Sequence, residues 1–161
     1  MIRLGKLTDY GIVLMTYMAR NPERVLHTAA ELARESRLPS PTVSQILKQL
    51  ARAGLLVSHR GVKGGFNLGR PPHTISVAEI IEALEGPIAL TECSLNLRGL
   101  CDLEPHCPTA NNWRVISRAV RTALENLTLR DLTHSFDLAA ARATRQSNIV
   151  SSLILISGRP Q

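Results

Sequence analysis

The stretch from Leu38 to Leu68 carries the most restrictive signals in the chain. Leu38-Pro39 closes one helical segment and Ser40-Pro41 opens another, with Ser40 expected as the N-cap and Pro41 at the first helical position, where its missing N–H leaves nothing unsatisfied. Val43, Ile46, Leu47 and Leu50 then recur at steps of three and four, the mark of a helix burying one stripe. Gly54 supplies a left-handed stop. Leu55–Ser58 reads as a strand, Gly61–Gly65 as a turn and Phe66–Leu68 as the returning strand.

Other helices flank this unit. Leu7–Arg20 is apolar at helical spacing, with Tyr10, Val13, Leu14, Tyr17 and Met18 on one broad face, and Asn21-Pro22 ends it. Thr28-Ala-Ala-Glu31 is a capping box, in which the threonine oxygen accepts an orphan amide and the glutamate reaches back, so a short helix should run to about Arg37. Ser76-Val-Ala-Glu79 is a second box, opening a helix that stops at Gly86-Pro87. A longer helix is expected from about Thr109, with Trp113, Ile116, Val120, Leu124 and Leu127 along one stripe and Arg114, Arg118 and Arg121 outside it. That stripe reads as a dimer helix in preference to ordinary core. The expected organisation is a helix-and-hairpin domain at 1–88, a cysteine loop at 89–108, a dimerisation helix at 109–136 and a tail without firm assignment at 137–161.

Bulk properties narrow the function. The net charge of +6 is lopsided: residues 1–73 hold eleven Lys and Arg against four Asp and Glu, whereas the remainder holds eight against nine. One half therefore carries the basic excess expected of a phosphate-binding surface. Only five residues are aromatic, too few stacking faces for a reader of RNA or single strands. No signal peptide is visible, and the late apolar run Leu153–Ile156 is far too short to span a bilayer. With three cysteines and no export signal, reduced thiols and a cytoplasmic location are expected. His27, His59, His73, His106 and His134 are scattered and none belongs to a recognisable catalytic arrangement, which argues against an enzyme.

Three helices followed by a two-stranded hairpin is the order of a winged helix-turn-helix, a mainly α fold whose third helix enters the major groove of double-stranded DNA. Ser40, Thr42, Ser44, Gln45 and Lys48 are left on or beside the outward side of that helix. Glutamine pairs with adenine, hydroxyls bond several base edges, and lysine suits phosphate or guanine. In the wing, His59, Arg60 and Lys63 surround Gly61, Gly64 and Gly65, which permit close backbone approach to phosphates. Gly61–Gly65 lacks the ending of a nucleotide-binding P-loop.

Cys93, Cys101 and Cys107 fall in one polar loop among Glu92, Asp102, Glu104 and His106, spaced C-x7-C-x5-C. Thiolates are soft donors suited to iron–sulfur clusters or zinc. Both metals want four ligands, so three cysteines leave one position open, for which His106, awkwardly placed beside Cys107, is a candidate and Glu92, Asp102 and Glu104 are outside possibilities. A Cys3His zinc site is one reading, weakened by the lack of any C-x2-C pair. Ordinary free thiols are another, though Cys101 and Cys107 sit among charges and prolines where buried structural cysteines seldom do.

Lys6-Leu-Thr-Asp-Tyr10, the segment Leu38–Leu50, the wing Arg60-Gly-Val-Lys-Gly-Gly-Phe66, Ser76-Val-Ala-Glu-Ile80 and the three-cysteine loop together resemble the IscR/NsrR-type bacterial regulators, over roughly residues 1–135. The opening segment and Glu104-Pro-His-Cys-Pro108 look closest to proteobacterial regulators of the SUF iron–sulfur assembly operon. The resemblance implies a homodimeric transcription factor on a near-palindromic operator, in which Cys93, Cys101 and Cys107 hold an iron–sulfur cluster of the 2Fe-2S or 4Fe-4S type. It also bears on the fourth ligand. IscR-like members use a histidine three residues after the last cysteine, but Ala110 stands there; nitric-oxide-sensing members use an aspartate of the first helix supplied by the partner subunit, and Asp9 matches that position. Apart from the resemblance, Asp9 simply complements a helix dipole. Ser44 stands where IscR carries a glutamate, so the operator sequence does not transfer.

Overall fold

The computed structural model describes residues 3–21, 26–61, 63–95 and 100–133. Five α-helices and one antiparallel pair of strands make up its regular structure: α1 (Lys6–Arg20), α2 (Ala29–Ser36), α3 (Ser40–Arg52), β1 (Leu56–His59), β2 (Gly65–Leu68), α4 (Val77–Glu85) and α5 (Ala110–Glu125). The architecture is a winged helix-turn-helix with an appended helix.

Both capping boxes form with both of their bonds: Thr28 and Glu31 open α2, and Ser76 and Glu79 open α4. Arg37 takes the left-handed conformation at φ 57° to close α2, and Gly86 closes α4 with a positive φ of 90° that suits glycine. Residues 137–161 of the tail lie outside the described residues. At α3 the expected start shifts by one residue: Pro39 is the N-cap, the helix begins at Ser40, and Ser40's side chain makes no capping bond. The proline at position 39 already holds the extended backbone that a cap needs, so the hydroxyl is spared.

The core forms where α1, α2, α3 and α4 meet. Leu14, Met15, Leu32, Val43, Ile46, Leu47, Leu50, Ile75 and Ile80 are fully buried. On α1, Leu14 and Met18 are buried as the spacing predicts, but Gly11 and Met15 join them while Tyr10, Val13 and Tyr17 stay half-buried. Gly11 lets α1 lie close against α4: a Cβ there would lie 2.3 Å from Leu84 Cδ1. Nearby, the carboxylate of Glu85 accepts from the Gly5 amide and the Thr8 hydroxyl, both at 2.5 Å, which ties the start of α1 to the end of α4.

Two connections are not evident in the sequence. The backbone at His27 bridges β2, with His27 N donating to Phe66 O at 2.9 Å and Phe66 N to His27 O at 2.8 Å. The wing is thereby stitched to the chain entering α2. Beyond α5, Leu129 N donates to Ile75 O and Val77 N to Leu127 O, each at 2.8 Å, and Leu129 is buried in the winged-helix core.

Candidate nucleic-acid interface and thiol loop

The third helix divides its faces cleanly. Val43, Ile46, Leu47 and Leu50 are completely buried, whereas Ser40, Gln45 and Lys48 are exposed and Thr42 and Ser44 are half-buried. Beyond it, β1 and β2 pair in register Leu56 with Leu68 and His59 with Gly65, which carries the turn away from the core. Gly64 is closed in by the turn, since a Cβ there would lie 2.4 Å from His59 O, and Gly61 holds a positive φ of 109°. Gly65 faces the His27 bridge, with His27 O 2.8 Å from where a Cβ would stand. The glycines thus serve the fold of the wing itself.

Arg60 and Lys63 are exposed at the turn and pair with no carboxylate among the described residues. His59 is less available: its Nε2–H donates to Asn67 Oδ1 at 2.7 Å across the strand pair. A polar helix face beside an uncompensated basic wing is an arrangement suited to a polyanion with groove-sized relief.

The thiol loop is built differently. Its described residues contain two short 3-10 turns, Glu92–Ser94 and Glu104–His106. Cys93 is buried, Cys101 and Cys107 are half-buried, and all three thiols are free. Thr91 Oγ1 lies 3.2 Å from Cys93 Sγ, and Thr109 Oγ1 lies 3.4 Å from Cys107 Sγ. Hydrogen bonding by the Thr109 side chain and then its backbone outweighs desolvation and holds the Cys107 thiol below the ordinary thiol range, so more of it is thiolate near neutrality. Among the described residues no three His, Cys, Asp or Glu side chains converge to hold a metal ion. What fits an iron–sulfur group is the donor set itself: three unpaired thiols in one loop, one of them biased toward its anion.

The other candidates disperse. Asp9 is exposed in the first turn of α1, and its carboxylate makes no hydrogen bond or ion pair among the described residues. His106, Glu92 and Asp102 are exposed in the loop, while Glu104 is engaged by Arg114. That engagement corrects one expectation, because Arg114 is half-buried against the loop instead of standing outside α5 with Arg118. Its Nε donates to Cys93 O at 3.1 Å, Nη1 to Asn111 Oδ1 at 3.0 Å, and Nη2 pairs with the Glu104 carboxylate. Ser117, one turn on, is buried and accepts from Leu90 N at 3.1 Å, and Arg121 pairs with Glu82 of α4 at 3.3 Å. Arg114, Ser117 and Arg121 repeat at helical spacing, a pattern readable in the sequence only once one knows that α5 rests on polar partners. The neighbouring stripe is open, with Trp113 and Ile116 39% and 44% exposed.

Comparison with known proteins agrees with this architecture. The Rrf2 family model, described as an iron-dependent transcriptional regulator, matches residues 4–135. CymR (YrzC), the global cysteine regulator of B. subtilis, superposes at a TM-score of 0.64 with 29% identity, over 83% of this chain and 97% of that one. Staphylococcus aureus CymR shares 30% identity over 83% of this chain and 99% of its own, at a TM-score of 0.62. T. potens IscR shares 27% identity over 81% of this chain and 85% of its own, also at 0.62. The chain belongs to the Rrf2 family and is a winged-helix transcriptional regulator rather than an enzyme.

Proposed function

We propose that the protein is a homodimeric regulator that senses iron–sulfur cluster status, or redox or nitric oxide, through its thiol loop and controls iron–sulfur assembly genes of the SUF type. The observation that carries this reading is the presence, in one chain, of three free thiols in a single loop and an outward polar third helix beside a basic wing. Cys93, Cys101 and Cys107 would hold a 2Fe-2S or 4Fe-4S cluster, with Asp9 contributed across the dimer as the fourth donor. When bound, such a cluster supplies iron whose oxidation state and ligation respond to oxidants and nitric oxide.

The chain's own residues do the rest. Thr109 biases Cys107 toward the thiolate that a metal needs. Thr91 braces Cys93 within its own arm, and Arg114 holds that arm against α5. The open stripe through Trp113 and Ile116 is the face for a second copy, and a two-fold pair would set two α3 helices about one DNA turn, ~34 Å, apart on a near-palindromic operator. Ser40, Thr42, Ser44, Gln45 and Lys48 then face the major groove, while His59, Arg60, Lys63 and Gly64 meet the backbone.

The decisive experiment compares operator affinity for the anaerobic protein reconstituted with ferrous iron and sulfide, the metal-free protein and Cys93→Ala. The reading expects the reconstituted form to differ from the other two; equal affinities would sink the coupling. A zinc-stabilised winged-helix repressor with no redox cofactor is the second reading, favoured by the same three thiols. Colourless anaerobic protein containing zinc but no labile sulfide would select it.

A further inference from the structure

Among the described residues, Arg114 hydrogen-bonds to both arms of the thiol loop. Its Nε reaches the backbone carbonyl of Cys93 at 3.1 Å, on the arm leaving α4, and its Nη2 pairs with Glu104, three residues before Cys107 on the arm entering α5. The third contact, Nη1 to Asn111 Oδ1 at 3.0 Å, braces the guanidinium on α5 itself. Between the two arms lie residues 96–99, outside the described residues, and Cys101. The guanidinium fork is suited to this task because it presents rigid, diverging donors that a lysine's single ammonium cannot reproduce. Little apolar packing is available to do it instead, since Leu100 and Leu103 are 45% and 72% exposed.

We propose that Arg114 is the positioning residue of the thiol loop, a clamp that fixes the spacing of the Cys93 arm and the Cys107 arm against α5 and thereby sets how firmly the thiols hold their cofactor. This rests on the reading of the loop as a cofactor site, but the clamp itself is independently measurable. Outer partners that orient metal ligands commonly change metal retention by about ten- to a hundredfold when removed.

The test uses the full chain as wild type, Arg114→Gln and Glu104→Gln. In the reduced, metal-free protein, iodoacetamide labelling of each cysteine is followed by mass spectrometry well below the melting temperature. Arg114→Gln raises the labelling rate of buried Cys93 about tenfold, as expected for loss of a charge-assisted hydrogen bond from a local opening equilibrium. Glu104→Gln, which releases only the other arm, leaves Cys93 within about twofold of wild type by the same reckoning. A role in global stability would move both variants in step with their melting temperatures. Cys93 labelling in Arg114→Gln equal to wild type overturns the clamp. In the second arm each protein is reconstituted with ferrous iron and sulfide and challenged with an iron chelator; both variants release iron faster, Arg114→Gln by at least about tenfold. Unchanged release overturns the link to cofactor retention. If wild type takes up neither iron nor sulfide, the cofactor reading fails, and the labelling experiment alone decides the clamp.

Discussion

The winged-helix region and the thiol loop are adjacent in sequence and opposite in construction. The first is held by a stripe of completely buried aliphatic residues, two capping boxes and a backbone bridge behind the wing. The second is held by an arginine, a few hydroxyls and two short 3-10 turns, with leucines facing solvent. A surface that must match a fixed groove benefits from a core with one packing solution. On the proposed function, the loop answers to a small chemical change, and contacts of modest and separable strength suit that task.

Substitutions in the two regions should separate sharply. Leu47→Ala opens a cavity in the four-helix junction and should cost about 2–5 kcal/mol in denaturant unfolding; a loss under 1 kcal/mol would show that the region is not the rigid half. Gly65→Ala drives a Cβ against the His27 carbonyl and should cost about 1–3 kcal/mol, with less protection of the His27 and Phe66 amides in hydrogen exchange. Gln45→Ala should leave the melting temperature unchanged but relax base preference at one operator position, at about 1–3 kcal/mol; an unaltered preference would place the reading face elsewhere.

Ser76→Ala should cost about 1 kcal/mol, and its effect is linked to pH. Burial pushes Glu79 up, but the Ser76 amide and the Arg70 guanidinium outweigh it and leave the carboxyl below its ordinary value. A folded pKa below the unfolded one means the box contributes fully at neutral pH and fades as pH falls through the acid range, so the difference between wild type and Ser76→Ala should shrink there. At the bottom of the scale, Leu103→Ala in the loop should change stability by no more than about 0.5 kcal/mol.

The sequence made the first region legible because its signals are local. A threonine three residues before a glutamate, a proline ahead of an aliphatic stripe and glycines between two short strands each act within a few residues, and the elements formed with boundaries shifted by one position at most in α3 and the strands. The resemblance through Lys6–Tyr10, the wing and the cysteines supplied the family, which the match over residues 4–135 bears out. What stayed hidden is non-local. Nothing in His27 announces a partner 39 positions on in Phe66, nothing in Glu85 points to Thr8, and Arg114 reads as a solvated helix residue until its reach to Cys93 and Glu104 is known. The cysteines themselves were conspicuous by type and clustering, while what arranges them was not.

The return of the chain after α5 has a practical outcome. Leu129 fills the interior shared with Ile75 and Leu47, and the strand-like pairing around it clasps the entry to α4. A polypeptide cut off after the fourth helix would therefore not be a miniature reader. It would be missing a plug, and its third helix would rest on a wall with a hole in it.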